Sequence, residues 1–443
     1  MSDKARKPES VCYHSSLNKA IKRHLPCGLF DRPHPTGGLR WCERYLLLCL
    51  ILMAWSTSQT LADRFDLARR HLVKMFPGRK RPGGTYQGMM AALGKVSGPL
   101  LEKVAAHLRQ EVQQVAAGRW QLHGFVPIGV DGSKVECPMT EANEKAFGCA
   151  GKKKSTPQQF LTTLLHLPTG VVWEFTCGPA CSSEREHLRQ MLPVLPRQAL
   201  LIADAGFTGY ELLSAILQSG GDLLIRVGAN VRLLRQLGYA VEEHDQTVYL
   251  WPQDQRETQP PLVLRRIILA DGRNRRMHLL TSVLEPSRLS DQQAAEFYRL
   301  RWGLELYYRT LKQTMQHRKL CGGSPATAQL ELRGAMLGLW LLCLLGAGTL
   351  IRAAKDPRRL SAAGLLRIIR AALENPNRRF GRSGLERAIV HACIDGYRRT
   401  ASKKARHWPH KKRPKPVGEP EARTATIEEV QLAQRYKQLR SAA

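Results

Sequence analysis

The stretch RQALLIADAGFTGYELLSAILQSGGDLLIRVGA, Arg197 to Ala229, constrains the fold more than any other part of the chain. An apolar run of strand length, ALLIA, is followed by a turn carrying Asp204 and Gly206, then by apolar residues at helical spacing, a Gly-Gly turn and a second apolar run, LLIRV. Strand, helix and strand in that order predict a parallel β-α-β unit, and parallel strands need both faces of their sheet covered. Upstream, GFVPIGVDGSKV alternates apolar residues at Val126, Ile128 and Val130 and then reaches Asp131-Gly132, a turn dipeptide, which predicts a strand ending in an acid. QFLTTLLHL and VVWEFTCG, joined by Pro-Thr-Gly, read as a hairpin, and SEREHLRQMLPVL reads as a helix. The expected core is a mixed α/β sheet built from three strands, a helix, a strand, a helix and a strand.

Around this core the texture changes several times. Residues 1 to about 36 are polar and basic and suit a flexible arm or a short helix; from Leu39 to about Trp120 the pattern is helical, so 1–120 reads as a helical N-terminal region. Within it, TYQGMMAALGKVSGPLLEKVAAHL suits two short helices joined by a turn, a form compatible with DNA binding. The core's first part spans 121–230, and 231–286 reads as a small β-rich insertion, because a structureless loop of that length is improbable inside a compact domain. Residues 287–320 return to the core as a helix, 321–396 are helical again, and 397–443 form a basic tail. The tail carries nine Lys and Arg between Tyr397 and Pro416 with no acid before Glu419, which suits a solvated tail or non-specific phosphate binding.

Sixty-eight Lys and Arg against thirty-seven Asp and Glu leave a formal charge of +31. That excess favours a polyanionic partner, most simply nucleic acid. An anionic membrane is the competing partner. YLLLCLILMAW, Tyr45 to Trp55, is too short to span about 30 Å of hydrocarbon, and the run from Met336 to Ile351 is closely bounded by Arg333 and Arg352, so both are expected to be core helices. The N-terminus has no apolar signal segment. Eleven cysteines without a regular framework suit a reduced, cytosolic protein, and Cys177, Cys181 and His187 lack a second ligand pair at zinc spacing.

Phe297 to Gln313, FYRLRWGLELYYRTLKQ, mixes charge with large apolar side chains. At about 100° per residue, with Tyr298 at zero, Arg301 falls near 300°, Glu305 near 340° and Lys312 near 320°, so the four share one stripe. Phe297, Leu300, Leu304, Tyr307, Tyr308 and Leu311 cluster beside it as an apolar face. Ser290 and Gln293 read as a capping box, predicting a helix from near Ser290 to about His317. The stripe alone suits a salt-bridged surface, since Glu305 has Arg301 and Arg309 four residues away on either side. Beside it, however, stand two acids at strand ends, Asp131 and Asp204, where ligands of open α/β sheets collect. Two or three such carboxylates make a hard-oxygen site suited to Mg²⁺ or Mn²⁺ and to phosphodiester chemistry, with Arg301 and Lys312 placed to hold phosphates. Each Asp also suits an ordinary turn or helix start.

Tyr298, Arg301, Glu305 and Lys312 reproduce the Y-x2-R-x3-E-x6-K signature, and GVDGSKV and IADAGFTGY precede it in order. In these motifs the chain, over roughly Phe125 to Lys319, resembles the insertion-sequence-4 family of DDE transposases. The resemblance implies an RNase H-like catalytic core with a β-strand insertion, flanked by helical N- and C-terminal regions. It implies that Asp131, Asp204 and Glu305 bind two Mg²⁺ ions, for which Mn²⁺ substitutes, and that Tyr298, Arg301 and Lys312 touch the phosphates of the transposon end. It also implies cut-and-paste transposition, with nicking at terminal inverted repeats and strand transfer by a 3′-hydroxyl. Double-stranded DNA is the implied partner, the helical N-terminal region its reader, a homodimer pairing two ends the implied assembly, and a bacterial, nucleoid-associated cytoplasm the setting. Arg226, in DLLIRV, matches a basic position that contacts DNA. Where some relatives carry a base-receiving tryptophan before a strand like HLLTS, this chain has Met277, a side chain that can still wedge between bases.

The alternative is a catalytically silent DNA-binding protein derived from a transposase; the intact carboxylates, Tyr, Arg and Lys speak against it. A different RNase H-like nuclease lacks the Y-R-E-K stripe and the β insertion.

Overall fold

The computed structural model describes residues 13–31, 40–77, 79–149, 156–271, 275–374, 384–393 and 418–442. The chain opens with helices α1 (Tyr13–His24), α2 (Glu43–Trp55), α3 (Leu61–Met75) and α4 (Tyr86–Val115) and then enters strand β1 (Val126–Glu136). Helix α5 (Glu141–Phe147), the hairpin β2 (Gln158–His166) and β3 (Val171–Pro179), and helix α6 (Glu184–Met191) follow. Next come β4 (Ala199–Ala203), α7 (Tyr210–Gln218), β5 (Asp222–Val227) and four further strands, β6 (Arg232–Arg235), β7 (Thr247–Leu250), β8 (Leu262–Asp271) and β9 (Arg275–Thr281). Helices α8 (Asp291–Leu300), α9 (Trp302–Arg309), α10 (Pro325–Arg352), α11 (Ala362–Glu374) and α12 (Gly384–Cys393) precede a last strand and helix, β10 (Glu421–Thr424) and α13 (Ile427–Ala442). Side-chain hydroxyls start many of the helices: Thr60, Thr85, Thr140, Ser183 and Ser324 each accept a first-turn amide, and Ser290 makes the full capping box with Gln293.

Two compact units divide the chain. One comprises Met1–Trp120, Gly132–Ser182 and Gly303–Gly396; the other comprises Gln121–Asp131, Ser183–Trp302 and Tyr397–Ala443. The first unit is organised on α10 against α2. Nearly every residue of α2 and every residue of α10 over 334–350 is buried, so both are apolar around their whole circumference there. Their close approach depends on small residues: a Cβ on Gly334 would meet Leu50 Cγ at 2.5 Å, and one on Gly338 would meet the Ala54 Cβ at 3.1 Å. Trp55 Nε1 donates to the Gly338 carbonyl at 3.0 Å. By length and composition α10 could cross a bilayer, yet 94% of its most apolar window is buried, as the reading of both runs as core helices required. The same unit holds the β2–β3 hairpin, antiparallel with a register shift between Leu164 and Leu165.

The second unit holds a mixed sheet in the order β10-β6-β7-β8-β9-β5-β4-β1. β1, β4 and β5 run parallel, as the β-α-β pattern predicts, and α7 lies against β5. Within the second unit the first half of β1 pairs with β4, and β4 pairs in turn with β5. The insertion is not a separate hairpin: β9 pairs antiparallel with β5, so 231–286 extends the sheet.

Four sequence expectations need correction. TYQGMMAALGKVSGPLLEKVAAHL forms one continuous helix, α4, with Pro99 inside it; Met89, Leu93, Leu100, Val104, Leu108 and Val112 are all buried, and burial of that stripe outweighs the local cost of Gly98 and Pro99. Strand β1 does not turn at Asp131-Gly132 but runs through to Glu136, where long-range bonds hold it extended: Glu136 N–H to the Arg318 carbonyl at 3.1 Å and Leu320 N–H to the Glu136 carbonyl at 2.8 Å. The helix expected from Ser290 to His317 is broken at Arg301, whose amide bonds three residues back to Tyr298, and it ends in a π-helical segment, Thr310–Thr314. Finally, 397–443 is not a tail throughout. Residues 418–442 fold back on the second unit, with β10 parallel to β6 and the buried Glu429 carboxylate holding Arg256 at 2.7 Å and Arg423 at 2.8 Å. The basic run from Tyr397 to Pro416 lies outside the described residues.

Candidate active site

Within the second unit the pairing of β1 with β4 runs from Val126 opposite Ala199 to Gly129 opposite Ile202, an offset of 73 residues. The same offset separates Asp131 from Asp204, so the two aspartates are level just past the paired stretch of β1 and β4, Asp204 at the carboxyl end of β4 and Asp131 midway along the longer β1. The pairing of β4 with β5 has Ala203 opposite Ile225, and its offset of 22 sets Arg226 level with Asp204. Two acids and one arginine therefore form a single row across three strands spaced by about 4.8 Å, at the sheet end where open α/β folds gather ligands.

Local structure fixes Asp204. It caps the short 3-10 turn Ala205–Phe207, its Oδ1 accepting the Gly206 amide at 2.9 Å. A Cβ on Gly206 would sit 3.1 Å from that oxygen, so a side chain there would crowd the carboxylate. Arg185 Nε, from the first turn of α6, donates to the Gly206 carbonyl at 2.9 Å and braces the turn from outside.

Tyr298, on the last turn of α8, joins this row. Its hydroxyl is buried and makes no hydrogen bond of good geometry, while the Arg301 guanidinium lies 5.5 Å from the ring centroid. Burial pushes the phenol above its ordinary range, Arg301 and Arg226 pull it down, and Asp204 pushes it up. The four side chains thus share one electrostatic environment inside the second unit. Met277 does not join them: it faces Leu269 on β8, half-buried, and the residue opposite Arg226 is Leu279.

Glu305 and Lys312 belong to the first unit. Glu305 is an exposed residue of α9, and Lys312 lies in the π segment, its Nζ donating to Ser133 Oγ at 2.6 Å. The single-helix wheel overstated how regularly this stripe is spaced, since the break at Arg301 and the wider π turn both change the phase. Ser133 is two residues past Asp131 in β1, hence on the same face of that strand. Behind the segment, the buried Glu331 carboxylate accepts the Cys321 amide at 2.7 Å, the Gly322 amide at 2.9 Å and Arg64 Nη1 at 2.9 Å, fastening the turn after the π segment to α10 and α3. Burial pushes this carboxyl up despite those partners.

Among the described residues no three His, Cys, Asp or Glu side chains gather closely enough to hold one ion. The donor chemistry of the aspartate pair nonetheless fits Mg²⁺ or Mn²⁺, which take hard oxygens and often keep several waters with only one or two carboxylates. Ser133 and Arg185 escaped the sequence reading. Ser133 was within reach of it, since a strand period carried two residues past Asp131 finds it; Arg185, twenty-one residues before Gly206, has no local signal.

The family model described as a transposase DDE domain matches residues 126–341. The chain is 29% identical over 308 residues to the transposase InsG for insertion sequence element IS4 of Escherichia coli (strain K12), a match covering 66% of this chain and 67% of that one. Among solved structures it resembles the piggyBac transposase synaptic complex with hairpin DNA, at a TM-score of 0.41 and 12% identity, over 90% of this chain and 88% of that one.

Proposed function

We propose that the chain is a DDE transposase of the insertion-sequence-4 kind, a reading supported by the matching family model and the similarity to an insertion-sequence transposase, and that it excises and inserts a DNA element by metal-dependent cleavage and strand transfer at terminal inverted repeats. The observation that carries this is the row of Asp131, Asp204 and Arg226 across three parallel strands. Asp131 and Asp204, with Glu305 as the third carboxylate, are the residues that would hold two Mg²⁺ ions, or Mn²⁺ in their place. Divalent ions bound there supply activation of a water or a 3′-hydroxyl and stabilisation of the leaving oxygen.

The chain's own side chains do the rest. Arg226 and Arg301 neutralise a phosphate beside Asp204, and the buried Tyr298 hydroxyl is positioned to donate to it. Lys312 adds a third cation on the Glu305 segment, oriented by Ser133. Met277, half-buried on the insertion, is the candidate wedge against a base step. The helical N-terminal region reads the terminal repeats, and the helices of 321–396 pair two copies so that two ends can be joined. The partner is double-stranded DNA, repeat and target alike, in the cytoplasm of a bacterial cell at the nucleoid.

The test is cleavage of end-labelled DNA carrying the repeats in Mg²⁺ or Mn²⁺, comparing the natural protein with Glu305→Gln. Cutting at the repeat boundary that vanishes in the variant supports the reading; tight repeat binding with no cutting by either protein makes this a silent DNA-binding derivative.

A further inference from the structure

The second unit contains, apart from the aspartate row, an open cavity of about 940 Å³ whose wall is shared by α7, β6, the segment after β7 and the C-terminal strand β10. Four guanidinium groups from four separate stretches line it, Arg185, Arg232, Arg256 and Arg423, against two acids, Asp254 and Glu421. The N-terminus of α7 opens into the same wall through Thr208, Gly209 and Tyr210, and its N-cap, Gly209, offers no side-chain acceptor to the first-turn amides. A surplus of arginines and a helix N-terminus without a side-chain cap both favour an anion, and they do so independently.

The wall is a built one. Glu429, 6% exposed, holds Arg256 and Arg423 together and accepts the Thr426 amide, so two of the arginines are fixed by the C-terminal segment. That carboxyl is pulled down to about 2, first by its hydrogen bond with Arg423. The other two remain open to an incoming group. Arg232 has a side chain 89% exposed and only a 3.5 Å contact to Glu421, and Arg185 gives its Nε to the Gly206 carbonyl while its guanidinium faces the cavity. Arg185 thereby links the cavity to the turn that carries Asp204.

We propose that this cavity binds the phosphodiester backbone of duplex DNA, as a contact site separate from the carboxylates and completed by the returning C-terminal segment. It rests on the transposase reading for its choice of DNA as the anion. Arg185 and Arg232 make the phosphate contacts, and Glu429 is a positioning residue that sets Arg256 and Arg423. Contact with backbone alone makes the site indifferent to sequence.

The experiment measures binding of the full chain to a repeat-bearing duplex and to a scrambled duplex across a salt series. For Arg232→Gln the slope of log K against log salt falls by about 1, and for Arg185→Gln with Arg232→Gln by about 2, equally on both duplexes. Glu421→Gln breaks the same ion pair but removes the repelling acid, so it tightens binding. Unchanged slopes in the arginine variants overturn the proposal, as does weakening by Glu421→Gln, which would trace the effect to lost β6–β10 pairing. A natural protein that cuts repeat DNA while the slopes stay unchanged sinks the cavity alone; one that binds neither duplex sinks the transposase reading and the cavity with it.

Discussion

Helix α10, apolar on all sides, and the interrupted run from α8 to the π segment, which keeps one apolar and one polar face, differ in nearly every physical respect. α10 is unbroken over 28 residues, capped by Ser324 with Pro325 in its first turn, and buried along most of its length. The other run breaks at Arg301, changes helix type at Thr310, and exposes Trp302 (60%), Leu306 (40%) and Glu305. Continuity is what burial on all sides enforces, because any break would strand backbone groups away from water. Interruption is tolerated where the helix keeps one face for something other than packing, and π segments are frequent at such sites. In this molecule the buried helix is the continuous one, and the breaks fall on the run that keeps an exposed face.

The contrast can be broken at several points. The largest effect is expected at the aspartate row: Asp204→Asn lowers DNA cleavage by at least about a thousandfold while repeat affinity in a gel-shift assay stays within a few fold, and retained cleavage would remove Asp204 from the chemistry. Next is the anchor behind the run. Glu331→Gln leaves the Arg64 guanidinium buried without its counter-charge and lowers unfolding stability by about 3 kcal/mol, read as a shifted denaturant midpoint with unchanged m-value. Leu50→Ala opens a hole against Gly334 and costs about 2–5 kcal/mol; a loss under about 1 kcal/mol would mean that α2 and α10 are less closely packed than Gly334 implies.

Acid should loosen the packed side as well. Burial pushes His166 and His317 down to about 4 from an ordinary 6.5. The folded protein keeps both neutral, so the unfolded chain takes up protons first, and their contribution is intact above pH 6.5 and lost as pH falls from 6.5 towards 4. Each is worth on the order of 3 kcal/mol over that window, and a melting temperature that stayed flat from pH 7 to 4 would contradict it. The smallest effect is Trp302→Ser on the exposed face of α9, expected to change stability by no more than about 0.5 kcal/mol; a larger loss would show that this face is covered in solution.

What could be read in the chain followed how local each determinant is. The β-α-β unit, the β2–β3 hairpin and the Ser290 capping box depend on neighbours in sequence, and all three are present. Asp131 and Asp204 are legible as acids that follow apolar runs of strand length, whereas Arg226 is marked in the sequence by the family resemblance alone and its level with Asp204 comes from the strand pairing. The breaks were not legible, because β1 stays extended at Asp131-Gly132 through bonds to residues 318 and 320, and α4 passes Pro99 through contacts from another part of the chain. The Glu429 clasp was hidden for the same reason: Arg256 and Glu429 lie 173 residues apart, and nothing around either announces the other.

Each compact unit is assembled from three separated stretches of chain. The first cannot close its core until α10 has been made, and the second lacks β10 until residue 424. Chains emerge from the ribosome N-terminus first at roughly 5–20 residues per second, so β1 waits on the order of tens of seconds before the last wall of its unit exists. During that interval a nascent chain carries Asp131 and Asp204 without the C-terminal strand, and the same would hold for any product of premature termination. Synthesis through residue 424 thus becomes a condition for a finished second unit, a timing constraint written into the order of the segments.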